Sequence, residues 1–441
     1  KYIYFRNSHK FANEYAGPLL FSIWILPICI IIFGISYLLP TSPKPIYWKW
    51  LDVKINNFID KYSYTSYTYF NITSAGFGQY KSKLGGFANP DNMHVLTVES
   101  PRLVYLKGGA KDFYNGLTWI NTDKKSLGYN DPKSTASMDM LELKLCMQLL
   151  TNDSGYLAKY LYKDSMKITF ARLKTKTLFI APKTDSISSG KNTAYVNSDG
   201  AAFSKKKISK GFSYEIQAYN IRYSNEELQN VLRRSRPGLY KEITSLPAGL
   251  TSSQMDSLIE YADNIYAKYL QLPDNFSERI RNLALAVTEG AGNNYDRARA
   301  IEQYLAENMA YTYTPPEVPE GREFADFFIF DSKEGYCTHY ATAMALMARS
   351  IGIPARYVEG YRLAEKPEGE KAFKVTNEHA HAWVEVYFEG FGWLPFEPSS
   401  IYNEEFYINS EPIPGYDDIK PVTPPQPSPS RPSVSANNNT Y

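Results

Sequence analysis

The chain has 441 residues, 44% hydrophobic and 21% charged, with 48 Lys and Arg against 46 Asp and Glu for a formal net charge of +2. At roughly 150 residues per domain this length predicts about three structural units, and the apolar share excludes a largely disordered chain. The near balance of charge gives no bulk reason to bind nucleic acid, and three cysteines are too few for a disulfide-dense scaffold.

The sequence starts at Lys1 and ends in a Pro-rich tract, so it is expected to be part of a longer protein. After a short flanking segment (1–17), residues 18–39 form an uncharged run, PLLFSIWILPICIIIFGISYLL. As a helix it would rise about 33 Å, enough to cross a hydrocarbon core of about 30 Å, and Pro27 is tolerated in such a span. A buried core helix and a signal peptide are the competing readings, although no small-residue cleavage site follows. Lys1, Arg6 and Lys10 precede the run and Lys44, Lys49 and Lys54 follow it, so flanking charge does not fix the orientation. The large Tyr-rich region that follows points to an extracytoplasmic placement. Cys29 lies in the span as a small hydrophobe. Pro43, Pro45, Trp48 and Trp50 in the linker 40–75 suit either an interfacial belt or ordinary packing.

From 76 to 240 the pattern is mostly β. HVLTVE at 94–99 alternates, as do Met166, Ile168 and Phe170, and then Phe212, Tyr214 and Ile216, which reads as antiparallel strands. Ser137–Leu150, containing Cys146, fits helix and strand equally. No catalytic cluster shows in this region. Helical periodicity begins near 252: Ser252–Leu270, then Ser277–Thr288, then a third helix capped by Asn293 or Asn294 with Ala298, Ile301 and Leu305 inward. The segment 411–441 holds 8 of the 27 prolines; this composition favours an extended linker over a packed core.

The chemistry concentrates between 331 and 400. After Gly335 the sequence turns helical, with Ala341, Met344, Ala345 and Ala348 on one face and Gly352 and Pro354 as a stop. Cys337 falls in the first turn, where the positive end of the helix favours thiolate. Strands are expected at 357–361 and 373–375. A third runs from His381, with Ala382, Val384, Val386 and Phe388 on one face and His381, Trp383, Glu385 and Tyr387 on the other. A turn near Gly390 and Gly392 returns the chain to Glu397. A cysteine nucleophile needs a base, and the base needs an orienting carboxylate. Cys337, His381 and Glu397 supply that order. Glu397 shares the face of His381 only if the hairpin loop is odd; a three-residue loop sets 388 opposite 392 and 383 opposite 397. An even loop or an extra bulge would separate them.

The blocks EGYCTHYATAMALMARSIGIPARYVEGY and NEHAHAWVEVYFEGFGWLPFEPSS resemble the transglutaminase core, and most closely that of bacterial membrane-anchored transglutaminase-like proteins. LGGFANPDNMHVLTVES and PRLVYLKGGAKDFYNGLTW resemble the β-domain that precedes the core in that group. The resemblance implies an α+β, papain-like core at 250–410, made of N-terminal helices and an antiparallel sheet, behind a mostly-β domain and one transmembrane helix. It implies Cys337 as nucleophile, His381 as base and Glu397 at the position where Asp is usual. The implied activity is acyl transfer from a Gln or peptide carboxamide through a thioester to an amine, on a protein or peptide substrate such as a cell-wall or surface protein, with no cofactor. Water as acceptor would make the same triad a peptidase or deamidase. The Cys337 backbone N–H is a natural oxyanion donor, and Tyr336 and the aromatics at 311–313 are candidates for the second.

Competing readings of single residues are a structural thiol at Cys337, a Cys146–Cys337 disulfide, and a metal site built from Cys337, His339, His379 and His381. His339 is expected to pack or hydrogen-bond, and His379 shares parity with His381 and could replace it as base. Glu385 and Glu389 read as solvated charges. A noncatalytic binding module is the remaining functional alternative.

Overall fold

The structure is a computed structural model that describes Pro27 and residues 65–408, apart from 79–82, 123–124, 152–154, 191–192, 365–369 and 371. The apolar run 18–39, except Pro27, and the Pro-rich tract both lie outside the described residues. Among the described residues no helix is long and apolar enough to cross a membrane.

The alternating segments form two five-stranded sheets. One orders its strands as Phe373–Thr376, His94–Glu99, Leu161–Phe170, Ser213–Ile221 and Thr184–Ser188, and the other as Thr65–Ser66, Leu173–Thr177, Ala202–Ile208, Ala194–Asn197 and Ser126–Gly128. A four-stranded sheet orders Gly392–Phe396, Ala380–Phe388, Ala355–Arg362 and Tyr105–Lys111. The upstream and downstream regions therefore trade strands. Tyr105–Lys111 closes the sheet that carries His381, while Phe373–Thr376 pairs with His94–Glu99. The ambiguous segment at 137–150 is helical, a helix Thr135–Leu141 and a helix Met147–Leu150 joined by a π-helical turn Glu142–Cys146. Its apolar residues are buried on several sides, which erases the periodicity that would have marked a helix.

The three expected helices are Ser252–Lys268, Glu278–Val287 and Asn294–Asn308. Thr251 and Gln254 close a capping box on the first, and the Asn293 side chain caps the third by accepting the Asp296 N–H at 2.9 Å. The helix Cys337–Ser350 runs through the core, with every residue from Cys337 to Arg349 buried. It ends where Gly352, at φ 83°, lets the Ile353 N–H turn back to the Ala348 carbonyl, a conformation only glycine adopts freely.

Candidate active site

Three elements bring Cys337, His381 and Glu397 together. The helix starts at Cys337, which puts its thiol at the positive end of the macrodipole. His381 lies on Ala380–Phe388, and Glu397 follows Gly392–Phe396. The hairpin pairs Phe388 with Gly392 and Val384 with Phe396, so its loop is Glu389, Gly390 and Phe391. Gly390 takes φ 91°, and the odd loop sets Glu397 on the side of the sheet that His381 faces.

The His381 Nε2 lies 2.5 Å from Glu397 Oε2. Cys337 also lies close enough to the imidazole to act on its charge. Burial alone would push His381 down, but the Glu397 carboxylate and Cys337 outweigh it and raise the imidazole from 6.5 to about 9. Burial likewise raises Glu397, and His381, Ser399 and Tyr105 outweigh it to hold the carboxyl below its ordinary value. Glu397 Oε1 accepts the Ser399 N–H at 2.9 Å, and its Oε2 accepts the Tyr105 phenol at 2.6 Å. Its backbone N–H donates to Glu302 Oε1 at 2.6 Å.

All three groups are sealed from solvent: Cys337 and Glu397 are 0% exposed and His381 1%. Tyr402 crosses the His381 ring edge-on with centroids 5.0 Å apart, and Tyr311 meets Tyr402 at 5.7 Å. Arg362 lies 4.0 Å from the Tyr402 ring centroid. Burial, and then Cys337, raise the Tyr311 phenol well above its ordinary value, so this tyrosine sits beside Cys337 under the same cover. Nothing outside reaches the sulfur unless this aromatic cover moves.

The remaining histidines turn away. His339 Nδ1 accepts the Tyr336 N–H at 3.3 Å, its ring packs on Phe324 and Phe328, and burial lowers it to about 3. His379 Nδ1 accepts the Thr376 N–H at 2.9 Å, which spends the lone pair a base would need. Burial and then Arg362 lower it to about 4. Cys146 and Cys337 are both free thiols, and among the described residues no group of three or more His, Cys, Asp or Glu side chains is placed to hold a metal.

The two glutamates expected in solvent are buried. Glu385 pairs with Arg356 Nε at 2.7 Å and Lys107 Nζ at 3.3 Å, and Glu389 accepts the Gly238 N–H at 2.7 Å. The alternating polar face of Ala380–Phe388 meets strand Tyr105–Lys111 and its neighbours rather than water. The residues missed by sequence reading are Tyr105 and Glu302, both in contact with Glu397. Their only sequence signal is a polar group in an otherwise apolar strand or helix face.

Residues 281–398 match the profile of the transglutaminase-like superfamily. The chain carries a transglutaminase-like core. Across 393 residues it is 29% identical to "Uncharacterized protein YebA" of Bacillus subtilis, covering 85% of this chain and 47% of that protein. Across 172 residues it is 34% identical to a protein-glutamine gamma-glutamyltransferase of Pseudomonas aeruginosa, covering 38% of this chain and 25% of that protein. The chain thus spans half or less of the curated relatives it matches. The crystal structure of the periplasmic domain of TgpA from Pseudomonas aeruginosa superposes with a TM-score of 0.50 at 18% identity, over 78% of this chain and 96% of that one. That likeness shows a shared fold, mixed α/β with a β-rich region packed on the transglutaminase-like core.

The His381–Glu397 pair gives a signed pH expectation. The raised His381 value makes its stabilising contribution complete below about 6.5 and lost as pH rises through about 9. The lowered Glu397 value makes its contribution present above the ordinary carboxylate range and lost toward acid. Urea midpoints of the wild type and Glu397→Gln should therefore differ most near pH 6 and converge by about pH 9.5. A difference that stays constant over that range would show that the pair is not ionised as described.

Proposed function

We propose that the protein is an extracytoplasmic, membrane-anchored cysteine acyltransferase acting on a Gln or peptide carboxamide. The observation that carries this reading is the buried group Cys337, His381, Glu397, with the imidazole bonded to Glu397 and Cys337 close enough to act on its charge. Cys337 sulfur attacks the carboxamide carbon, the C–N bond breaks, and the His381 imidazolium gives its proton to the departing ammonia. An amine then attacks the thioester, the C–S bond breaks, and the amine proton returns to His381. The Cys337 backbone N–H, in the first turn of its helix, is the donor assigned to the oxyanion.

Location outside the cytoplasm is supported by the fold shared with a periplasmic domain, and anchoring by the run 18–39. The expected partner is a protein or peptide, a cell-wall or surface protein being one candidate; no cofactor and no nucleic acid are invoked. Mass spectrometry of a Gln-containing peptide with and without a primary amine tests this. An amine adduct is expected. A one-dalton gain would assign a deamidase and backbone cleavage a peptidase, and inertness combined with unchanged partner binding by Cys337→Ala would assign a binding module.

A further inference from the structure

Glu397 Oε2 receives two hydrogen bonds, one from His381 and one from the Tyr105 phenol at 2.6 Å. Tyr105 lies outside the matched residues 281–398, on the strand Tyr105–Lys111 that the upstream region contributes. Its ring packs edge-on to His381 at 5.5 Å and to Trp383 at 5.2 Å, and against Phe406 at 5.1 Å. The strand is pinned by charge as well as by pairing. Lys107 reaches Glu385 and Lys111 reaches Glu359, so withdrawing the strand would take the cation from buried Glu359 and leave Glu385 with Arg356 alone, a costly change.

We propose that Tyr105 is a positioning residue of the active site, its phenol fixing the Glu397 carboxylate in the orientation that holds the His381 ring toward Cys337, so that the upstream region completes the catalytic machinery. This inference rests on the cysteine-transfer reading above. The Ser399 N–H holds Oε1, and the phenol is the second donor on Oε2, the oxygen that meets the imidazole, so it fixes where that oxygen lies. The phenol also draws charge from Oε2 and tempers the pull of Glu397 on the imidazolium. Burial, and then Glu397, keep Tyr105 itself protonated far into alkali. The other groups facing this set are Cys337 from its helix, Arg362 from Ala355–Arg362, Tyr402 and Glu405 from the segment after Glu397, and Glu302 from behind.

The test uses the full chain labelled with 15N-histidine, following the ring nitrogens of His381 through a pH titration in the wild type, Tyr105→Phe and Glu397→Gln. Tyr105→Phe is expected to move the His381 midpoint upward and Glu397→Gln to move it downward. With the Gln peptide and amine, Tyr105→Phe should lower kcat about tenfold, as for the loss of one hydrogen bond to a charged group, and leave KM unchanged. Fluorotyrosine placed at 105 keeps the shape and changes only donor strength, and the midpoint should follow its acidity. If Glu397→Gln moves the midpoint while Tyr105→Phe and fluorotyrosine do not, the role of Tyr105 is overturned and the triad stands. If Glu397→Gln moves nothing, the triad reading itself falls.

Discussion

Cys337→Ala should abolish thioester formation, with turnover falling by about 10⁶-fold, while the fold survives. The substitution keeps Cβ, so the first turn of the helix Cys337–Ser350 and the Cys337 backbone N–H stay in place. It removes one buried sulfur, which leaves a small void worth about 1 kcal/mol. The chemistry has no substitute for that atom nearby. Cys146 is buried in the π-helical turn, where burial and then Glu142 push its thiol up, and the remaining histidines at the site have their lone pairs committed to backbone donors. Intact mass spectra after mixing with a Gln peptide should show the acyl adduct in the wild type and none in the variant, with melting temperatures within a few degrees. Turnover above about 1% of wild type in Cys337→Ala would place the nucleophile elsewhere, since nucleophile loss in such triads is far larger.

Cys337, His381 and Glu397 could be picked out as candidates from sequence because each sits in a local pattern. A helix stop and a small-residue face framed Cys337 and strand parity oriented His381, while the odd loop that sets Glu397 on the same side was one of two that the sequence allowed and is fixed only by the pairing of Phe388 with Gly392. The burial of Glu385 was not readable. Its alternating position looked solvated because the strand that covers it lies 278 residues away in sequence, at Lys107. Tyr105 was missed for the same reason, its partner Glu397 being 292 residues distant. Long-range strand exchange leaves no local period to detect. It is recorded only as a hydroxyl or an ammonium at a strand position that would otherwise be apolar. Phe373–Thr376 was recognisable as a strand, but its pairing with His94–Glu99 is likewise a property of the whole topology.

Gly360→Ala should be the most damaging glycine-to-alanine change among the described residues, with a loss of about 3 kcal/mol and a larger loss of activity than of fold. Gly360 pairs with His381 on one side and with Lys107 on the other. The register shifts between Glu359 and Gly360, so Gly108 is the extra residue of a bulge and the two backbones approach closely. A methyl at 360 would overlap the Leu106 carbonyl oxygen and sit 2.9 Å from the Gly108 nitrogen. These are backbone atoms, so no rotamer change relieves the contact; the strand Tyr105–Lys111 must move instead. That movement carries Tyr105 away from Glu397 and strains Lys107 against Glu385. The expected signature is therefore double: a urea midpoint lowered in proportion to the steric cost, and a His381 titration midpoint displaced in the same direction as in Tyr105→Phe. Ala110→Gly, in the same strand but two or more residues from these contacts, should cost stability without displacing that midpoint. If Gly360→Ala lowers stability and leaves His381 unmoved, the edge strand supports the sheet but not the chemistry.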